Sequence, residues 1–75
     1  MYLIESLGHH DLPDELARAS EANVEDVLRR AAAHLGFRDV AIERVASVLG
    51  GSCIASIDVV ASVQGTRILV ARPRV

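Results

Sequence analysis

Cys53-Ile54-Ala55-Ser56-Ile57-Asp58-Val59-Val60-Ala61-Ser62-Val63 decides the fold. Cys53, Ala55, Ile57, Val59, Ala61 and Val63 form one apolar row, while Ile54, Ser56, Asp58, Val60 and Ser62 alternate with them and are half polar. Successive side chains of a strand point to opposite faces, so this period predicts a long strand with one face on a core and the other semi-wet. Downstream, Gln64-Gly65 predicts a tight turn into a strand from Thr66 to Arg72, ended by Pro73. A regular ladder from that turn sets Ala61 opposite Ile68, Val60 opposite Leu69, Val59 opposite Val70, and Asp58 opposite Ala71 with Arg72 close by. Upstream, Gly50-Gly51 turns the chain back onto a strand over Val40–Leu49. Ile42 and Val45 cannot share a face of a regular strand, which predicts a β-bulge near Glu43-Arg44.

Before Asp39 the period is helical. Val24, Val27, Leu28, Ala31 and Leu35 make one apolar stripe. Asn23 is placed to N-cap it, with Glu25 and Asp26 in the first turn where the helix dipole favours negative charge. Glu25 precedes Arg29 by four residues and Asp26 precedes Arg30 by four, the favourable order for exposed pairs. Gly36 supplies a left-handed stop, and Phe37 is placed to fold back on the last turn. Further upstream, Tyr2–Leu7 reads as a short strand stopped by Gly8, and His9–Pro13 as a turn. Asp11 can cap a short helix with Pro13 in its first turn, running through Ala19. The expectation is one small α+β domain over residues 1–75. It has two layers, one or two N-terminal helices on an antiparallel sheet of three to four strands, in the order β-α-α-β-β-β.

A strand ending in Ile4-Glu5-Ser6-Leu7-Gly8, an amphipathic helix and a long strand pair is similar in outline, over residues 2–63, to the dodecins, small flavin-storing hollow assemblies. The chain departs from them in having no Trp to stack on a flavin, in the segment 8–23 between strand and helix, and in its last strand. No site residue carries over from that resemblance.

Composition narrows the function classes. The chain is 75 residues, 51% apolar, with Tyr2 and Phe37 its aromatic residues; eleven Ala, ten Val, eight Leu and five Ile must build the core. That apolar fraction excludes disorder, the single Cys53 excludes a disulfide scaffold, and no run approaches a membrane span. A net charge of −2 is too balanced for an electrostatically driven nucleic-acid binder. Its halves differ: residues 1–37 carry −4 and residues 38–75 carry +2. All eight basic residues are Arg, which excludes Schiff-base chemistry and a lysine base. Met1–Gly8 lacks the basic start of a signal peptide, and a lone Cys fits the reducing cytoplasm, the compartment expected here.

The chemical candidates are few. His9-His10-Asp11 invites a metal or general-base role, but adjacent histidines on an extended chain diverge and a zinc site needs three or four ligands, so a polar turn is the plainer reading. Cys53 lies in the apolar row with nothing nearby in sequence to activate it, and reads as core packing. Gly50-Gly51-Ser52 links strands and does not open a helix, so it reads as a turn and not a phosphate cradle. Arg67, Arg72 and Arg74 gather near the C-terminus as a weak anion-binding candidate, with edge protection as the alternative. No catalytic residues, cofactor or metal are expected.

The function expected is that of a small non-catalytic module acting through protein–protein contacts, most simply as a homo-oligomer, with neither nucleic acid nor membrane as partner. The expected interface is Val60, Leu69, Ala71 and Asp58, on the sheet face away from the helix. Two alternatives stand beside it. One is a phage-type inhibitor or adaptor docking on a larger partner through Asp14, Glu15, Glu21, Glu25 and Asp26. The other is a small-ligand or anion binder using the Arg cluster, or a metal site at His9-His10.

Overall fold

Strand β4 (Cys53–Val63) is the long strand that its alternation predicts. The structure is a computed structural model that describes residues 1–8, 10–49 and 53–74; the side chains of 47–49 and 53–55 also fall outside that description. The Gly50-Gly51 turn, His9 and the surroundings of the Cys53 thiol therefore lie outside the described residues. The elements are β1 (Tyr2–Ser6), α1 (Asp14–Ala17), β2 (Arg18–Ala19), α2 (Val24–His34), β3 (Ala41–Leu49), β4 and β5 (Thr66–Pro73). They form one antiparallel sheet in the order β2-β1-β5-β4-β3, with the helices on one side. The class is α+β, but the sheet has five strands where three or four were expected. The additional strand is β2: the expected helix through Ala19 stops at Ala17, and Arg18–Ala19 pairs with Leu3 and Tyr2.

Helix α2 is built as its sequence dictates. Val24, Val27, Leu28, Ala31 and Ala32 are buried against Val59, Ala61, Leu69 and Ala71 of the sheet and Tyr2 and Ile4 of β1. At its end the Gly36 N–H donates to the Ala33 carbonyl at 3.0 Å and the Phe37 N–H to the Ala32 carbonyl at 2.9 Å. That pair of bonds closes a Schellman motif around Gly36, whose φ of +93° suits a residue without Cβ. Pro13 and not the expected Asp11 is the N-cap of α1; Asn23 is the N-cap of α2 as expected, but its side chain makes no capping bond. Its Oδ1 accepts the Ser20 N–H at 2.7 Å and so closes the preceding turn.

Two bulges sit where the sequence did not place them. Between β3 and β4 the ladder is regular through Glu43 and Arg44 and shifts beyond Ser47, where Ala55 is left without a partner between Ser56 and Ile54. No bulge is needed at Glu43-Arg44 because Ile42 and Arg44 share the helix side while Val45 takes the other, opposite Asp58. The Cys53 and Ala55 side chains of the expected inward row lie outside the described residues.

Between β4 and β5, Ser62 pairs with Arg67 but Ala61 pairs with Leu69, so Ile68 is the extra residue. The expected register is therefore wrong beyond Ser62: Leu69 and Ala71 lie under the helix, fully buried, and Val70 takes the open face opposite Val60. The physical reason is Arg72. A regular ladder would turn it toward the helix layer, whereas the bulge puts it on the open face between Glu5 at 3.6 Å and Asp58 at 3.9 Å.

Helix α2 has 11 residues, as does β4. At 1.5 Å per residue the helix is about half as long as a strand rising 3.3 Å per residue, so part of the β3–β4 ribbon extends past it. The cross-strand pair Ala46 and Ile57 lies on that uncovered stretch, and Ile57 is 48% exposed.

Candidate functional site

The register fixes what the sheet presents on its open face. One row runs Glu43, Val60, Val70, Glu5 from β3 to β1; the next contains the pair Val45 and Asp58, and the pair Arg72 and Leu3. Val60 and Val70 are buried, yet neither belongs to the core cluster under the helices. Leu3 and Val45, half-buried, extend this apolar centre, and charged side chains frame it. Asp58 is held by Arg72 and accepts the Ser56 hydroxyl at 3.4 Å. Of the expected interface residues, Val60 and Asp58 therefore lie on this face, whereas Leu69 and Ala71 do not.

A second cluster ties the N-terminal end of α2 to the sheet. The Tyr2 hydroxyl donates to Glu21 Oε2, and Arg44 reaches Glu21 at 3.1 Å and Glu25 at 3.5 Å. The hydrogen bond to Glu21, and then burial, raise the Tyr2 hydroxyl above its ordinary 10.0. The same bond from Tyr2 leads in holding the Glu21 carboxyl below its ordinary 4.5; Arg44 adds to it and burial opposes it. No sequence pattern brought these three residues together, although a cation on the helix side of β3 was a signal that an acid must lie above it.

This network reduces the acidic face expected at Asp14, Glu15, Glu21, Glu25 and Asp26. Glu21 and Glu25 serve Arg44, and Asp26 lies 4.0 Å from Arg30. The expected pair of Glu25 with Arg29 is not made: Arg29 donates instead to the Val40 carbonyl at 3.2 Å. The C-terminal Arg cluster is not assembled either. Arg67 lies at the start of β5, Arg72 near its end between two carboxylates, and the Arg74 N–H bonds the Met1 carbonyl at 2.7 Å. Arg67 and Arg72 are thus about 16 Å apart along the strand, too far to grip one small anion together.

Among the described residues no three His, Cys, Asp or Glu side chains group closely enough to hold a metal ion. No described helix is long and apolar enough to cross a membrane.

Two clefts meet at His10. One, of about 450 Å³, is lined by Glu5, Asp11, Leu12 and Ala17 among others. The other, of about 260 Å³, lies at the C-terminal end of α2 between Leu35, Phe37, Ile68 and Arg67. Fold and surfaces together define a two-layer α+β protein with an uncovered sheet face. Comparison with protein families, with characterised proteins and with solved structures finds no match.

Proposed function

We propose that the protein is a non-catalytic module that works by assembling with a second copy of itself through the open face of its sheet. The observation that carries this reading is the cross-strand pair Val60 and Val70, flanked by Leu3 and Val45, at the centre of the face that no helix covers. A sheet with apolar residues on both faces favours a second layer, and a two-layer monomer supplies only one. The face carries both signs of charge, Glu5, Glu43 and Asp58 with Arg72, so a copy related by two-fold symmetry meets acids and a base together. Three further points support a binding role over a catalytic one. Glu21 and Glu25 are committed to Arg44, Asp58 is committed to Arg72, and Arg67 is remote from Arg72.

Charge substitution on this face tests the reading. Val70→Glu and Val45→Glu each place a carboxylate in the proposed interface and leave the helix-side core untouched. Both variants are expected to elute as smaller species than the parent at matched concentration, with unchanged far-ultraviolet circular dichroism. Elution identical to the parent in two folded variants rejects this face as the contact. Salt separates the alternative of docking on a basic partner through acidic residues: that association weakens as salt screens it, whereas an apolar contact between copies persists.

A further inference from the structure

We propose that the cleft of about 260 Å³ at the C-terminal end of α2 binds a small amphipathic carboxylate, with an apolar body between Leu35, Phe37 and Ile68 and its anionic end at Arg67 and His10. The volume lies just under the roughly 300 Å³ at which small-ligand pockets begin, which suits a body the size of one ring or a short acyl chain. Among the described residues its ionisable lining is His10 and Arg67, with no carboxylate. The neighbouring cleft has the same His10 but adds Glu5 and Asp11, whose charge opposes an anion.

The surrounding chain is shaped to hold these side chains in place. Ser6 Oγ accepts the N–H of Gly8 at 3.3 Å and of His10 at 3.4 Å, which curls the segment after β1. A Cβ on Gly8 would come within 3.2 Å of the His10 ring, so a side chain there would push the ring by a few tenths of an ångström from its place. Arg67 and Ile68 belong to the β5 bulge, a device that re-aims side chains out of the regular ladder, and the Leu7 N–H bonds the Ile68 carbonyl at 2.9 Å to fix it against β1. The C-terminal end of α2 disfavours an anion, which Arg67 must offset; the carbonyls of Ala31, Ala32 and Ala33 are engaged by Leu35, Gly36 and Phe37. An apolar wall with a guanidinium and an imidazole on its rim selects for a carboxylate that carries an apolar group, over either part alone.

A nuclear magnetic resonance titration of the whole protein tests this with phenylacetate, benzyl alcohol and inorganic phosphate as separate probes. Phenylacetate is expected to shift the resonances of Leu35, Phe37 and Ile68 saturably, and to bind at least tenfold more tightly than either other probe. Arg67→Ala is expected to weaken it by roughly tenfold, the loss of one charge-assisted bond. Gly8→Ala, which displaces the His10 ring, is expected to weaken it as well. Val70→Glu is expected to leave it unchanged, so this site stands or falls apart from the assembly. Absence of saturation at Phe37 and Ile68, or phosphate or benzyl alcohol binding as well as phenylacetate, overturns the proposal. So does undiminished binding in a folded Arg67→Ala variant.

Discussion

Gln64 has a φ of +50° and Gly65 one of +82°, the conformation of the mirror-image turn that matches strand twist in a hairpin. Glutamine gains nothing from that region and asparagine tolerates it, so Gln64→Asn is expected to raise the urea midpoint, by about 0.5–1 kcal/mol in stability. A lowered midpoint contradicts the turn assignment. Gly36 is the opposite case. Nothing lies within 4 Å of a Cβ built there, so Gly36→Ala meets only the backbone strain of φ +93° and is expected to cost about 1 kcal/mol. Tyr2, Glu21 and Arg44 add a pH dependence. The Glu21 carboxyl is held lower in the fold than in the unfolded chain, so its contribution is complete above pH 4.5 and is lost as pH falls through the lower native value. Thermal melts are therefore expected to show a gap between the parent and Glu21→Gln that is present near about pH 6 and closes toward about pH 3. A gap that widens on acidification contradicts that arrangement. Tyr2 works in the other direction: its contribution is complete below pH 10.0 and is lost as pH rises through its raised native value.

At the scale of elements, the bulge at Ile68 decides which residues of β5 reach the core. Leu69 is fully buried beneath α2 while Val70 is on the open face, so Leu69→Ala is expected to cost about 2–5 kcal/mol and Val70→Ala clearly less. Chemical denaturation of the two variants checks this, and a larger loss at Val70 would restore the regular ladder. The bulge was not legible because Ile68, Leu69, Val70 and Ala71 are all apolar, so alternation gives no phase and the turn alone suggested a wrong one. What settles it is Arg72, whose partners Glu5 and Asp58 come from β1 and β4 and are brought to it only by the folded sheet. Helix α2, in contrast, was legible from its stripe to its glycine stop, because every signal in it is local. The two-residue β2 was not, since Arg18-Ala19 reads as helix until Leu3 and Tyr2 are there to pair with it.

For the whole molecule, the sequence made two-sided apolar strands visible and so pointed to an uncovered face, but it assigned Leu69 and Ala71 to the wrong side of it. The 260 Å³ cleft was out of reach of the sequence because Ser6 and His10, Phe37, and Arg67 come from three separate segments. A stable contact buries roughly 800 Å² on each partner. Assembly through the open face requires that this face be covered in solution. Absolute mass by light scattering, followed through a dilution series, tests it most directly. A dimer or larger closed assembly that persists on dilution, and falls to the 8.0 kDa of one chain when Val70 is replaced by Glu, is the result predicted. A parent protein that scatters as a single chain at every concentration would contradict it.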